Sequence, residues 1–313
     1  MDVLVIGCGV SGLSCGIRLL EAGHTARIWA RDLPQQTTSA VAAAVWYPYK
    51  AYPEHLVVGW AATSYADFVQ LAQVPGAGVT MREGVELFPW AVEEPWWGAA
   101  VPGYRRAAPG DLPAGRADGY AFEAPVIEMP IYLDYLLRRF EGLGGRVERR
   151  ELPSLDQALA ECATVLNCAG LGARELAADT TMLPIRGQIV RVRQVGIERF
   201  VLDDHNPAGL CYIVPRAGDC VLGGTAEEGR EDLAADPATA EAILARCAAI
   251  EPRLRGAAIL EHRVGLRPGR PSVRLEAERR AGERLIVHNY GHGGAGVTLS
   301  WGCADECMRL LAA

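Results

Sequence analysis

The residues whose types and spacing could do chemistry begin at the start of the chain. Gly7-Cys8-Gly9-Val10-Ser11-Gly12 follows the apolar run Val3-Leu4-Val5-Ile6. It leads into a segment whose Leu13, Gly16, Ile17 and Leu20 share one helical face. In a strand–turn–helix frame, a Gly-x-Gly-x-x-Gly string is a phosphate cradle. The first glycine makes the tight turn, the second lets backbone approach a pyrophosphate, and the third lets helix pack on strand. The helix N-terminus adds free N–H groups and the positive end of its dipole. The chemistry is dinucleotide binding, and the motif does not say which dinucleotide. An acid to hold the ribose is expected about 20 residues on. Asp32 ends the second strand, Ala26-Arg27-Ile28-Trp29, and is the candidate, with Arg31 beside it able to reach a phosphate.

A second glycine-rich turn closes the chain. Gly291-His292-Gly293-Gly294-Ala295-Gly296 follows the strand Arg284-Leu285-Ile286-Val287-His288-Asn289-Tyr290 and precedes a helix. A chain that returns at its end to make such a turn predicts a discontinuous nucleotide domain with its ligand under both turns. Between the turns lie Tyr212, in an apolar strand, and Arg267 and Arg270, in Gly265-Leu266-Arg267-Pro268-Gly269-Arg270-Pro271. Residue type alone reads these as a core tyrosine and loop ion pairs.

The elements that must position these groups follow in order. Thr37-Thr38-Ser39 before a small-residue run resembles a helix N-cap. Residues 55–73 read as a helix. Aromatics, prolines and glycines crowd residues 50–130, which reads as an inserted domain. Residues 131–140 form an amphipathic helix. Ala163–Ala173 is a strand running into a helix, another nucleotide-fold element. Residues 186–192, 211–215 and 219–225 alternate like an antiparallel sheet, and 233–256 is mostly helix. The expected fold is α/β: a discontinuous Rossmann-like domain (1–50, 135–185 and 260–313) with an α+β substrate domain (51–134 and 186–259) built on a large mixed or antiparallel sheet.

The chain has 313 residues, half of them hydrophobic, and a net charge of −7. That supports a large core and argues against nucleic acid as a partner. No apolar run reaches the ~18–20 residues of a membrane span. The first strand begins at Asp2, so no signal peptide is expected. Nine scattered cysteines read as reduced packing residues in a cytoplasmic protein. Cys303 and Cys307, four apart on a helix, lack a second ligand pair, so no metal is expected.

The combination resembles the D-amino-acid oxidase family along essentially the whole chain. The carrying residues are Gly7, Gly9 and Gly12; Thr37-Thr38 with Val41-Ala42-Ala43; Trp46 and Pro48; Asn167-Cys168-Ala169-Gly170; Arg186-Gly187-Gln188; Tyr212-Ile213-Val214-Pro215; Gly265 to Pro271; and His288-Asn289-Tyr290-Gly291-His292-Gly293-Gly294 with Trp301-Gly302. The resemblance implies non-covalent FAD. It implies oxidation of a D-amino acid to the imino acid by hydride transfer from Cα to the flavin N5. Hydrolysis then gives the 2-oxo acid and ammonia, and oxygen leaves as hydrogen peroxide. A bacterial-type member is expected, with a D-amino acid and O2 as partners and a homodimer as one open assembly.

The resemblance also assigns residues. Arg270 matches the carboxylate-binding arginine, Tyr212 the tyrosine that assists it, and Gly294 the glycine whose carbonyl receives the amine. Gly7, Cys8, Gly9, Val10, Ser11 and Gly12 fall at the pyrophosphate, and Arg31 and Asp32 at the adenosine ribose. Thr38, Ser39, Ala43, Ala44 and Val45 fall near the phosphates and flavin, Leu152 beside the adenine, and Gly293, Gly296, Val297 and Thr298 at the flavin ring. His292 is expected to cap the last helix. Tyr47 replaces a glutamine and lines the substrate pocket. Ala208 takes the slot of a second active-site tyrosine, which widens the entrance. Ala226-Glu227-Glu228 stands where acidic-substrate members carry an arginine. Neutral, apolar D-amino acids are therefore expected, with basic side chains left open by the local acids. The alternatives are a D-aspartate oxidase or a glycine/sarcosine-type amine oxidase. The C-terminus lacks a peroxisomal signal.

Overall fold

The computed structural model describes residues 1–48 and 51–313; the expected domain boundary at residue 50 lies outside them. In chain order the elements are β1 (Asp2–Ile6), α1 (Val10–Glu21), β2 (Thr25–Ala30), α2 (Glu54–Leu71), β3 (Val79–Phe88), β4 (Arg105–Arg106), β5 (Asp118–Ile127) and α3 (Met129–Gly142). They continue with β6 (Arg146–Arg149), α4 (Leu155–Glu161), β7 (Thr164–Asn167), α5 (Ala173–Leu176), β8 (Leu183–Arg193), β9 (Phe200–Asp203), β10 (Cys211–Pro215) and β11 (Asp219–Gly223). The last are β12 (Glu227–Glu228), α6 (Pro237–Ile250), β13 (Ile259–Gly269), β14 (Arg274–Arg280), β15 (Arg284–Tyr290) and α7 (Ser300–Ala312).

Two sheets organise the chain. The first has the order β14-β15-β7-β1-β2-β6. All its pairs are parallel except the β14–β15 hairpin. The period of two along β1 gives each face a layer. Val3 and Val5 join the core shared with α1, α3 and α7, while Leu4 and Ile6 pack with Trp29 against α4. This is a Rossmann-like, dinucleotide-binding type of fold. Its first turn is tight: Gly7 has φ +104°, and a Cβ on Gly12 would sit 1.9 Å from the Gly7 carbonyl oxygen. The helix begins at Val10, inside the glycine motif rather than after it.

The second sheet runs β12-β8-β11-β10-β9-β3-β5-β4, with β13 against β8. Its pairs are antiparallel except β3 with β9. One face of β8, β10 and β11 (Val190, Val192, Cys211, Ile213, Cys220, Leu222) packs on Ile243 and Cys247 of α6. The other face turns toward the first sheet.

Three sequence expectations change. No helix follows Thr38 and Ser39; short 3-10 turns span Pro34–Gln36 and Thr38–Val41. The small residues after them are captured by β5: the Ile127 amide donates to the Ala44 carbonyl at 2.7 Å, and the Trp46 amide donates to the Pro125 carbonyl at 2.8 Å. Tertiary pairing overrides helix propensity there. Residues 260–269, expected with the nucleotide sheet, instead pair along β8 in the second sheet. Residues 129–134, expected in the inserted domain, belong to α3, whose Phe140 packs against Gly16 of α1.

Gly12→Ala is expected to lose about 1–3 kcal/mol of stability, because the new methyl meets fixed backbone. Gly59→Ala, on an exposed turn of α2 where nothing lies within 4 Å of the new Cβ, is expected to gain about 0.5–1 kcal/mol. Urea unfolding of both variants checks the opposite signs.

Candidate active site

A cavity of about 1090 Å³ lies between the sheets and runs from the β1–α1 turn to Tyr212. At its first end it is lined by Gly7, Cys8, Gly9, Val10 and Ser11. Gly9 is the N-cap of α1 and makes no side-chain cap bond, so the first helical N–H groups face the cavity, apart from that of Val10, which donates to Ser39 Oγ at 3.1 Å. Gly12 does not line the cavity; it packs beneath the turn. Arg31, Asp32 and Leu152 also line it away from Tyr212, beyond the end of β2, with Arg31 and Asp32 paired at 2.8 Å. Bare helix amides, a glycine cradle and an elongated cavity at the carboxyl edge of a parallel sheet suit a dinucleotide's pyrophosphate and adenosine.

The middle of the cavity is narrow in chemistry. Thr38, Ser39, Ala43, Ala44 and Val45 line one wall, and Gly293, Gly294, Gly296, Val297 and Thr298 line the other. These small residues leave room for a flat ring. Thr298 ties the walls together: its Oγ1 accepts from the Tyr47 amide at 3.1 Å and donates to the Tyr47 carbonyl at 2.9 Å. His292 also lines this region but does not cap a helix. The last helix starts at Ser300, and His292 Nε2 bonds Asn289 Oδ1 at 2.9 Å instead. Burial pushes its pKa down to about 4, so the imidazole is neutral at physiological pH.

The remaining end is built on the free face of the second sheet. Register places Leu202 opposite Tyr212, Tyr212 opposite Gly223, Gly223 opposite Ile189, and Arg267 opposite Ile185. Cross-strand partners share a face, so Arg267 and Tyr212 point the same way. Two glycines let them lie flat. A Cβ on Gly223 would fall 1.8 Å from the Tyr212 ring, and one on Gly187 would fall 2.3 Å from Arg267 Nη1. Arg267 Nη1 donates to the Thr225 carbonyl at 3.0 Å. Burial raises the Tyr212 phenol above its usual pKa, although the neighbouring Arg267 guanidinium pulls the other way.

Two expected site residues lie elsewhere. Arg270 does not line the cavity. Its Nε bonds Asp179 at 2.9 Å and its Nη1 bonds the Ser272 carbonyl at 2.8 Å. Asp179 also accepts from the Tyr290 hydroxyl at 2.9 Å and is held well below the usual carboxylate range: hydrogen bonds from Thr181, Tyr290 and Arg270 outweigh its burial. Arg270 and Arg267 are three apart, and the chain leaves β13 between them, so they serve different sheets. Ala208 is exposed on the turn after β9, its amide bonded to Asn206 Oδ1 at 2.9 Å. Asp204 and Leu210 line the cavity from that turn instead. Tyr47 lines it as expected, and its hydroxyl donates to Glu86 Oε1 at 2.5 Å. The sequence held only part of the signal for Arg267, an alternating position in an extended run; the glycine beneath it, Gly187, lies on another strand. Glu86 and Asp204 carried no motif.

The model of the FAD dependent oxidoreductase family matches residues 2–310. A D-amino-acid oxidase of Rubrobacter xylanophilus is 60% identical over 311 residues, covering 99% of this chain and 95% of that protein. The chain belongs to the D-amino-acid oxidase family. FAD is its cofactor. A human D-aspartate oxidase is 36% identical over 323 residues, covering 99% of this chain and 94% of that protein. The crystal structure of a glycine oxidase from Geobacillus kaustophilus superposes with a TM-score of 0.81, covering 99% of this chain and 94% of that one at 18% identity, and so shares the fold.

Burial raises Glu86 to about 8 from an ordinary 4.5. The folded state therefore keeps a proton that the unfolded chain gives up, and the stability this contributes is lost as pH rises from 4.5 toward 8. Glu86→Gln should leave stability nearly unchanged at pH 4.5 and raise it at pH 8. Urea midpoints at the two pH values check this.

Proposed function

We propose that the cavity oxidises D-amino acids to imino acids, which hydrolyse to 2-oxo acids and ammonia, with O2 as final acceptor and hydrogen peroxide as product. Bound FAD supplies the two-electron acceptor and would be held by Gly7 to Ser11, Ser39 and the 293–298 turn. The chain's own task is placement. Arg267 presents its guanidinium fork to the substrate carboxylate, braced by the Thr225 carbonyl, and a planar fork fits a carboxylate bidentately. The Tyr212 hydroxyl, kept protonated by burial, donates to the same carboxylate. The Gly294 carbonyl, on the facing wall, is the proposed acceptor for the amine. Three fixed points then leave one enantiomer with its α-hydrogen toward the flavin.

The observation that carries this reading is the shared face of Arg267 and Tyr212 at the end of the cavity remote from the phosphate cradle. The wall around them is apolar: Ile189, Leu202, Leu210 and Val214. Among the described residues, Arg267 is the single lysine or arginine lining that end; Arg31 and Arg150 line the adenosine end. One cation serves one carboxylate, which supports neutral substrates over acidic ones. We place the protein in the cytoplasm because its nine cysteines are all buried and unpaired. None of the described helices is long and apolar enough to cross a membrane.

Arg267→Ala is expected to cut kcat/KM for D-alanine on the order of 100-fold or more while retaining FAD and melting temperature, since a charge-assisted pair is lost from the substrate alone. Arg270→Ala should lower the melting temperature, because Asp179 loses a buried partner, with a smaller effect on kcat/KM. Steady-state kinetics and flavin absorbance on both variants decide; the reverse pattern would restore Arg270 as the carboxylate clamp.

A further inference from the structure

An apolar side chain stands in the open at the rim of the cavity. Leu233 is 64% exposed, more than any other large hydrophobic side chain among the described residues, yet it lines the cavity. It sits on the irregular segment between β12 and α6. That segment is firmly held. Arg186 on β8 is fully buried and lies on the sheet face opposite Gly187. Its Nε donates to the Asp232 carbonyl at 2.8 Å and its Nη2 donates to the Ala234 carbonyl, so it grips the two carbonyls that flank Leu233. Its Nη1 donates to Glu227 of β12 at 2.6 Å. Gln188 exchanges two hydrogen bonds with the backbone of Asp236, where α6 begins. A buried cation thus fixes the backbone on both sides of a leucine that no other part of the chain covers.

The segment also reaches across to the other half. Glu231 accepts from Arg174 of α5 at 2.6 Å, in a partly exposed pair. Lining residues flank both partners: Gly172 and Glu175 beside Arg174, and Leu233 two residues from Glu231. The turn that leads from β7 into α5 abuts the phosphate cradle, since a Cβ on Gly7 would fall 2.4 Å from the Cys168 carbonyl oxygen. On the other side, β8 carries Gly187 beneath Arg267. The span from Arg174 to Arg186 therefore crosses the stretch of cavity between the cradle and the Arg267 end. An FAD seated in the cradle, with its ring at the 293–298 turn, passes through that stretch.

We propose that residues 230–234 are a strap that retains FAD. Leu233 supplies an apolar contact to the cofactor, and the Arg174–Glu231 pair latches the strap to the nucleotide half. Covering a leucine takes apolar surface out of water, whereas an ion pair at the rim gains little in high dielectric. Leu233 is therefore the main contributor and the latch a minor one. The strap governs cofactor release and takes no part in placing the substrate. The inference needs FAD as the cofactor and is independent of which arginine clamps the substrate.

The test follows FAD release from the holoenzyme, read as the rise in flavin fluorescence after dilution. Leu233→Ser should speed release on the order of tenfold, through loss of the apolar contact. Leu233→Met keeps the apolar area and should stay within about twofold of the native rate. Arg174→Gln and Glu231→Gln should each speed release about threefold, and the double variant no more than either single one. The KM for D-alanine at saturating FAD should not change in any of them. Native release rates in Leu233→Ser, or equal acceleration in Leu233→Ser and Leu233→Met, overturn the proposal. So does a raised KM for D-alanine with native FAD release, which would place Leu233 against the substrate. Release needs no turnover, so these outcomes stand apart from whether D-alanine is oxidised.

Discussion

One carboxylate fixes how the two halves of this protein meet. Asp179 lies on the passage from α5, beside the first sheet, to β8 in the second. Arg270 lies on the return passage, from β13 in the second sheet to β14 in the first. Their ion pair, joined by the Tyr290 hydroxyl, ties the two crossings together. The cavity is the space between the sheets, so its width depends on that tie. The pair is mostly shielded from water, with side-chain exposures of 19% and 5%, and breaking it would strand a charge rather than merely lose a contact. This explains why an arginine so near the pocket does not line it.

The second constraint is the two-residue period of the nine-stranded sheet. Because α6 covers one face with a layer of valine, leucine, isoleucine and cysteine, the other is released to form a wall of the cavity. On β8, β9 and β10 the lining residues obey that alternation: Ile189 but not Val190, Leu202 but not Asp203, Tyr212 but not Ile213. Gly187 and Gly223 serve the same face. They remove the side chains that would otherwise lift Arg267 and Tyr212 off the sheet and into the substrate's place. Which side chains line the pocket is thus a consequence of packing on the sheet's other face.

The nucleotide half was legible because its signals are local. The glycine motif, the helix period after it and the closing glycine turn each lie within a dozen residues, and all but Gly12 of the expected cofactor residues line the cavity. The substrate end was less legible. Arg267 and Arg270 sit in one short string, and only the strand register, which follows from pairing with β8, says which of them faces inward. Ala208 fell out of the pocket because the turn after β9 carries it to solvent. The small-residue run after Ser39 looked helical by composition, yet β5 supplied hydrogen bonds that a helix could not match in that position.

The sequence by itself determined that this chain binds a dinucleotide and, through its assembled motifs, the family to which it belongs. Those follow from residues whose backbone chemistry is effective wherever a strand, turn and helix meet. Only the tertiary structure decided which arginine faces the cavity, that Asp203 turns away from it while Asp204 lines it, and that Glu86 bonds Tyr47. These depend on which face of a strand the neighbouring helix covers. That choice is made by contacts between residues tens or hundreds of positions apart, and no spacing within a single segment records it.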